Sequence, residues 1–170
     1  MRVHKSQNSS PQAQKILTSL GLKQVYNVVF IKSTPEVVKK LALVQDQLSW
    51  GVPSKKTVND LIRKRGFLRT KENKKAPITD NVMIEELLGK EGVICIEDLI
   101  DAVYKPGENF IEIQKHLWPL QLAAQKEATE EQIQHSAVNK MIKKNQAKVA
   151  KGGLIGNLEE RINELVVPLI

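Results

Sequence analysis

The residues best suited to covalent chemistry surround the chain's single cysteine. Cys95 lies between Ile94 and Ile96, and Glu97 and Asp98 follow it. A catalytic thiol needs exposure and nearby positive charge, because both favour the thiolate. An apolar setting and two carboxylates instead raise the pKa of a thiol. The sequence therefore predicts a buried, inert Cys95.

The two carboxylates are also poor candidates for acid–base catalysis. Adjacent side chains on a helix diverge, so Glu97 and Asp98 are badly placed to act on one bond. Acidic residues at a helix start accept hydrogen bonds from free backbone N–H groups and match the positive end of the helix dipole. We therefore expect the pair to begin a helix that buries Leu99, Ile100 and Val103.

No metal centre, cofactor or internal disulfide is expected. One cysteine can form neither a disulfide within the chain nor a multi-cysteine zinc or iron–sulfur site. The three histidines, His4, His116 and His135, show no close spacing such as HExxH. The sequence fits a reducing compartment. It also has no apolar stretch near the roughly 18 residues of a membrane span, and its polar start is no secretory signal.

Positive charge is concentrated in the first half of the 170 residues, whose net charge is +7. Residues 1–75 hold 16 Lys and Arg against four Asp and Glu, whereas residues 76–135 hold four against 12. Seven cations fall within residues 63–75, where Gly66 permits a close backbone approach and Phe67 offers a stacking face. Cations mixed with an aromatic ring suit phosphate contacts and base stacking. The sequence therefore predicts an RNA contact here rather than a plain solvated loop.

The elements that must position this segment begin with an α+β pattern. Residues 2–5 predict a short strand, Ser10-Pro11 opens a helix, and the apolar run at residues 25–31 predicts a buried strand. A second helix starts at Thr34-Pro35 and ends before Trp50-Gly51. Strand, helix, strand, helix is the beginning of a split βαβ, ferredoxin-like layer. Because only 4% of the residues are aromatic, aliphatic side chains should fill the core.

Further elements follow on both sides of the basic segment. Periodicity predicts helices from about residue 57 to 64 and from about 80 to 88, and the first delivers cations to its carboxyl end. Val93 to Ile96 is apolar on both alternating faces, as expected for a strand covered on each side. Residues 123–150 predict a mostly exposed helix, residues 151–156 a linker, and about residues 157–166 a last short helix.

Several segments of the chain, taken in order, resemble a known family. They are QKILTSLGLKQVYNVVFIK, SWGVPSKKTVNDLIRKRG, PITDN, LGKEGVICIEDLI, FIEIQKHLWPLQL and GNLEERINELV. The chain is similar to the large-ribosomal-subunit protein family numbered thirty in bacteria and seven in eukaryotes, in its longer eukaryotic and archaeal form. It starts where the first strand is expected, without the basic extension of eukaryotic members, and residues 123–150 depart from the family's pattern.

The resemblance implies a fold and a set of partners. Residues 1–122 would form a ferredoxin-like rRNA-binding domain with its elaboration, and residues 123–170 a helical carboxyl-terminal extension. The partners would be large-subunit rRNA and neighbouring ribosomal proteins, on cytoplasmic ribosomes assembled in the nucleolus. No catalytic activity, cofactor, metal, membrane contact or homo-oligomer is implied.

The resemblance also points to particular RNA-contacting residues. Lys64-Arg65-Gly66 matches the family's KRG motif, and Lys55 and Lys56 lie on the approach to it. The complete set of candidates adds further basic residues of the first half and one aromatic ring: Arg2, His4, Lys5, Lys15, Lys23, Lys55, Lys56, Arg63, Lys64, Arg65, Phe67, Arg69, Lys71, Lys74 and Lys75.

Two alternatives to a structural ribosomal protein remain open. A nucleolar paralogue in the same family acts in subunit assembly and shares most of these segments, although Trp118 before proline fits the ribosomal member better. Small ferredoxin-like domains can also hydrolyse acyl phosphates with an Arg in the loop after the first strand. Here that loop, residues 6–12, contains no Arg and no Gly to cradle a phosphate. An enzyme is therefore not expected.

Overall fold

The computed structural model describes residues 1–3, 10–122 and 155–170, which form helices and short strands. The helices are α1 (Pro11–Ser19), α2 (Pro35–Leu43), α3 (Lys55–Arg65), α4 (Asn81–Leu88), α5 (Ile96–Tyr104), α6 (Phe110–His116) and α7 (Ile162–Val166). The strands are β1 (Asn27–Val28), β2 (Ser49–Trp50), β3 (Phe67–Arg69), β4 (Lys75–Pro77), β5 (Leu120–Gln121) and β6 (Gly156–Asn157). Short 3₁₀ turns occupy Gly89–Glu91, Glu159–Arg161 and Val167–Leu169. The helix predicted at residues 123–150 lies outside the described residues.

Side-chain caps begin the first four helices. Ser10, Thr34, Ser54 and Asp80 each accept a hydrogen bond from a backbone N–H two or three residues further on. Such caps satisfy N–H groups that have no partner within the helix. The starts predicted for α1, α2 and α4 are confirmed to within one residue. The start of α3 was placed two residues late, because its cap is Ser54.

Backbone hydrogen bonds link five short segments side by side. β6 pairs in parallel with β2, and β5 pairs antiparallel with β1. Residues 1–3 lie between these two pairs: the Arg2 N–H donates to the Asn27 carbonyl at 2.9 Å, and the Val3 N–H donates to the Gln47 carbonyl at 3.0 Å. Residues 1–3, which precede α1, and β6, which follows β5, thus lie in one layer with β1, β2 and β5.

The α+β class is confirmed, but the strands are shorter than the sequence suggests. Of the apolar run at residues 25–31, only Asn27 and Val28 form a ladder. The described ladders have two strands each, β1–β5, β2–β6 and β3–β4, and only the hydrogen bonds of residues 1–3 join the first two. The ferredoxin-like arrangement of these strands stays a prediction.

Helix α3 is held by the core from two sides. Leu61 is 1% exposed and belongs to a buried cluster shared with β5 and α7, whereas Ile62 is fully buried in a second cluster formed with α4, α5 and α6. A third cluster lies beneath α1. Leu, Ile and Val dominate all three clusters, as the aromatic-poor composition predicted. Because neighbouring residues of α3 enter different clusters, the helix is fixed in both position and rotation.

The strand predicted at residues 93–96 is wrong. Val93 is buried, but Ile94 is 55% exposed, and α5 already begins at Ile96. The Asp98 carboxylate accepts hydrogen bonds from the backbone N–H groups of Ile94 and Cys95, both at 3.3 Å. These N–H groups therefore bond to the first turn of a helix instead of pairing in a sheet.

Candidate nucleic-acid interface

A single glycine joins the basic helix α3 to strand β3. A Cβ atom at Gly66 would lie 2.1 Å from the Ile62 carbonyl oxygen and 2.8 Å from Ile78 Cδ1. The helix therefore ends where only glycine fits against the preceding turn, and Phe67 starts the strand directly. The atoms that require glycine here belong to the chain itself, and an approach of RNA to Gly66 stays a prediction.

Two of the cations on α3 are paired with carboxylates of α5. Lys55 Nζ lies 2.5 Å from Asp101 Oδ1, and Arg63 Nη2 lies 2.5 Å from Glu97 Oε1. All four side chains are exposed. The hydrogen bond from Arg63 lowers the pKa of Glu97. These cations are therefore neutralised locally in the isolated chain.

The remaining cations of α3 differ in whether they bond to other residues of the chain. Arg65 donates two hydrogen bonds, from Nε and Nη2, to the Ile170 carbonyl oxygen at 3.2 and 3.0 Å. Lys56 and Lys64 are exposed, and no ion pair joins either to another residue that the structure describes. Of the predicted contacts on this helix, Lys56 and Lys64 are thus the most available to an anion.

The hairpin of β3 and β4 places cations against aromatic rings. The strands are antiparallel, with Arg69 opposite Lys75 and Phe67 opposite Pro77. Lys75 Nζ lies 3.8 Å from the centroid of the Phe67 ring, and Arg69 Cζ lies 5.1 Å from the centroid of the Trp118 ring. Both distances are within the range of cation–π attraction.

At the hairpin tip one lysine is paired and one is not. Lys74 Nζ lies 2.7 Å from Glu72 Oε2. Lys71 is exposed and forms no ion pair with a described residue. A ring does not cancel a positive charge as a carboxylate does, so Arg69, Lys71 and Lys75 keep their charge for a polyanion.

The other predicted RNA contacts are scattered. Lys15 on α1 and Lys23 after it are exposed, and His4 and Lys5 lie outside the described residues. Arg2 is only 8% exposed, and its Nη1 donates to the carbonyls of Leu22 at 3.1 Å and Lys23 at 2.6 Å. Burial lowers the pKa of Arg2. This guanidinium serves the fold, so we leave it out of the proposed RNA surface.

Trp118 lies beside the basic hairpin, although the sequence did not place it among the candidate contacts. It was noted only for the motif it begins with Pro119, because nothing local connects it to Arg69. The backbone N–H of Trp118 donates to the Phe67 carbonyl at 2.9 Å, and this hydrogen bond places the indole beside β3. The signal that could have found it is an aromatic residue after a short helix, in a chain with few aromatic residues.

Cys95 is half-buried, which corrects the prediction of a buried thiol. It occupies the N-cap position of α5, where the chain turns into the helix. The backbone N–H of Asp98 lowers the pKa of the Cys95 thiol, but the carboxylates of Asp98 and Glu97 and partial desolvation raise it, and the net shift is upward. The thiol is therefore a weak nucleophile, as its acidic neighbours predicted.

The parts of the chain that the structure describes offer little else that points to chemistry. Within them no three His, Cys, Asp or Glu side chains converge as a metal site would require. None of their helices has the length and apolarity needed to cross a bilayer.

Comparison with known proteins identifies the family. No family model matches the chain. It is 41% identical over 133 residues to "Large ribosomal subunit protein uL30" of Sus scrofa and 39% identical over 133 residues to "Large ribosomal subunit protein uL30-like 1" of Mus musculus. Each match covers 78% of this chain but 53% and 54% of the relatives, so the chain spans about half their length. The family inferred from the sequence segments is confirmed, and the chain belongs to the uL30 family of large ribosomal subunit proteins.

Proposed function

We propose that the chain is a structural constituent of the large ribosomal subunit and binds large-subunit rRNA. The observation that carries this is its 41% identity, over 78% of its length, to a protein named for that subunit. The role requires no turnover, no cofactor and no membrane contact. A single copy would sit on each ribosome, next to rRNA and neighbouring ribosomal proteins.

The free cations are the proposed rRNA contacts, and we define them as Lys56, Lys64, Arg69, Lys71 and Lys75. Carboxylates of described residues neutralise none of them. α3 runs directly into β3 through Gly66, so the fold connects the helical and hairpin members of the set. Lysine and arginine bind RNA phosphates by displacing condensed counterions, which makes affinity fall as salt rises.

Salt dependence of binding tests the RNA contact. The full chain is titrated with transcripts of large-subunit rRNA at increasing salt concentrations. We expect a steep linear fall of log affinity with log salt, which becomes shallower by about one for each free cation replaced by Ala. Lys115→Ala is the control, because Lys115 already lies 2.6 Å from Glu112 on the acidic side of the sequence. A flat salt dependence would contradict the proposal.

Sedimentation tests the ribosomal role itself. A tagged chain, expressed in cells, should travel with large subunits and persist in translating polysomes. Confinement to nucleolar precursor particles would instead identify an assembly factor. Presence only in the free protein fractions would exclude both roles.

A further inference from the structure

Trp118 lies on the outer face of the β3–β4 hairpin, next to Phe67 and Arg69. Residues directly opposite one another in an antiparallel pair share a face, and successive residues of a strand alternate between faces. Leu68 is fully buried and is bridged to Leu117, which packs against the same cluster. Phe67, Arg69 and Trp118 are the neighbours of these two residues in sequence. They therefore lie together on the face turned away from the core.

Arg69 is held on this face by a ring rather than by an anion. No hydrogen bond or ion pair joins its guanidinium to any other described residue, and its Nε is buried without an acceptor. A buried N–H without an acceptor is costly, so a ligand that brought an acceptor to Nε would stabilise this arrangement. The guanidinium carbon, Cζ, lies 5.1 Å from the centroid of the indole ring.

The combination of groups selects one class of ligand. A paired RNA helix presents phosphates and ribose, and it keeps the faces of its bases stacked internally. An acidic peptide would engage the cations but leave the indole unused. An unpaired nucleotide uses both, because its base stacks on an aromatic ring or a guanidinium plane while its phosphate meets a cation. Lys71 and Lys75, which flank the hairpin tip, can meet that phosphate.

We propose that the Arg69–Trp118 pair is a stacking site for an unpaired RNA nucleotide, whose phosphate is bound by Lys71 or Lys75. This stacking site rests on the proposed rRNA binding. It adds contact with an unpaired base to the proposed contacts with the phosphate backbone. Phe67 is a weaker platform, because its ring is smaller than an indole and its neighbouring cation, Lys75 at 3.8 Å, has no guanidinium plane on which a base could stack.

Tryptophan fluorescence tests the stacking directly. The chain has two tryptophans, Trp50 and Trp118, so Trp50→Phe leaves Trp118 as the only reporter and Trp118→Phe leaves Trp50. Each variant is titrated with oligoadenylate and with a blunt-ended RNA duplex. We expect oligoadenylate to quench the Trp50→Phe protein and the duplex to bind it without quenching. The Trp118→Phe protein should not be quenched by either RNA.

Affinity measurements supply the second readout. Trp118→Leu should weaken oligoadenylate binding about 5- to 100-fold and leave duplex binding within about twofold. Trp118→Tyr should restore most of the lost affinity, because it returns a ring. Arg69→Lys keeps the charge but removes the guanidinium plane, and should also weaken oligoadenylate selectively. Thermal melting of each variant verifies that it folds, and Lys115→Ala is the matched surface control.

The outcomes separate this inference from the proposed function. If the unaltered chain binds neither RNA at low salt, the proposed function fails and the stacking site fails with it. If it binds both RNAs, and Trp118→Leu changes neither affinity, RNA binding stands and the stacking site is overturned. Quenching of Trp118 by polyglutamate to the same extent as by oligoadenylate would also overturn it, and would assign the face to an acidic protein segment.

Discussion

The chain places its cations in two different settings. On the α3–α5 face, Lys55 and Arg63 meet carboxylates at 2.5 Å. On the hairpin face, Arg69 and Lys75 meet rings at 5.1 and 3.8 Å. Carboxylates cancel charge, whereas rings orient a cation and leave its charge intact. We therefore expect the helix to contribute less to the proposed RNA binding, relative to the hairpin, than its number of cations suggests.

The largest expected effect comes from the joint between these two faces. Gly66→Ala would drive a Cβ into the Ile62 carbonyl, and backbone cannot yield as a side-chain tip can. We expect a loss of about 1–3 kcal/mol in the free energy of unfolding, measured by urea denaturation. Gly107→Ala is the control, because a Cβ there meets no atom within 4 Å. Equal losses in both variants would mean that Gly66 is not sterically required.

Charge removal compares the two faces in RNA binding. The double variant Lys71→Ala/Lys75→Ala should reduce the slope of log affinity against log salt by about two. Lys55→Ala/Arg63→Ala removes the same formal charge but should reduce it by less, because carboxylates already neutralise those cations. Binding titrations of large-subunit rRNA transcripts at several salt concentrations measure both slopes. A larger change from the helix pair would reverse the comparison.

Glu97→Gln sharpens the comparison by releasing Arg63. The pKa of Glu97 is below its ordinary value of 4.5, mainly because Arg63 donates a hydrogen bond to it. A depressed carboxyl pKa contributes stability above the ordinary value, and that stability is lost as pH falls through the folded pKa. The variant should therefore melt at a lower temperature than the unaltered chain at neutral pH, and the difference should vanish in strong acid.

The released Arg63 should also act on RNA. In Glu97→Gln the salt slope of RNA binding at neutral pH should become steeper by up to about one. Glu91→Gln is a suitable control, since Glu91 pairs with no cation among the described residues. An unchanged slope in Glu97→Gln would show that Arg63 does not reach RNA even when it is free.

The smallest effect is expected at Cys95. Burial would have made Cys95→Ser destabilising, but the residue is half-buried at the N-cap of α5, and serine is among the best N-cap residues. We expect a slightly higher melting temperature and unchanged RNA affinity. A lower melting temperature would show that the thiol contributes packing that a hydroxyl cannot replace.

The sequence predicted what local chemistry decides. Ser10, Thr34 and Asp80 each cap a helix by bonding to a residue two or three positions further on. Gly66 ends α3 because a Cβ atom there would clash with Ile62, four residues earlier. The strands are harder to predict from the sequence than the helices, because a strand pairs only where a partner that is distant in sequence lies beside it. Only two residues of the run at 25–31 meet β5.

The candidate site was predictable only in part. The basic segment and its phenyl ring are adjacent in sequence, so they were found together. The contacts that decide which cations are free connect Lys55 to Asp101 and Arg69 to Trp118, across more than forty residues in each case. Local sequence patterns do not show these contacts, so they treat the α3 cations alike and do not connect Trp118 with the basic segment.

Helix α3 is completed by a residue far downstream. Asn163 Oδ1 accepts hydrogen bonds from the Ser54 N–H at 2.9 Å and from the Thr57 hydroxyl at 2.7 Å. The start of the helix is thus fastened by α7, across a sequence separation of 109 residues. During synthesis, the start of α3 cannot form these two hydrogen bonds before residues 155–170 have left the translating ribosome. Contacts so distant in sequence slow folding, so we expect the start of α3 to reach its final form late.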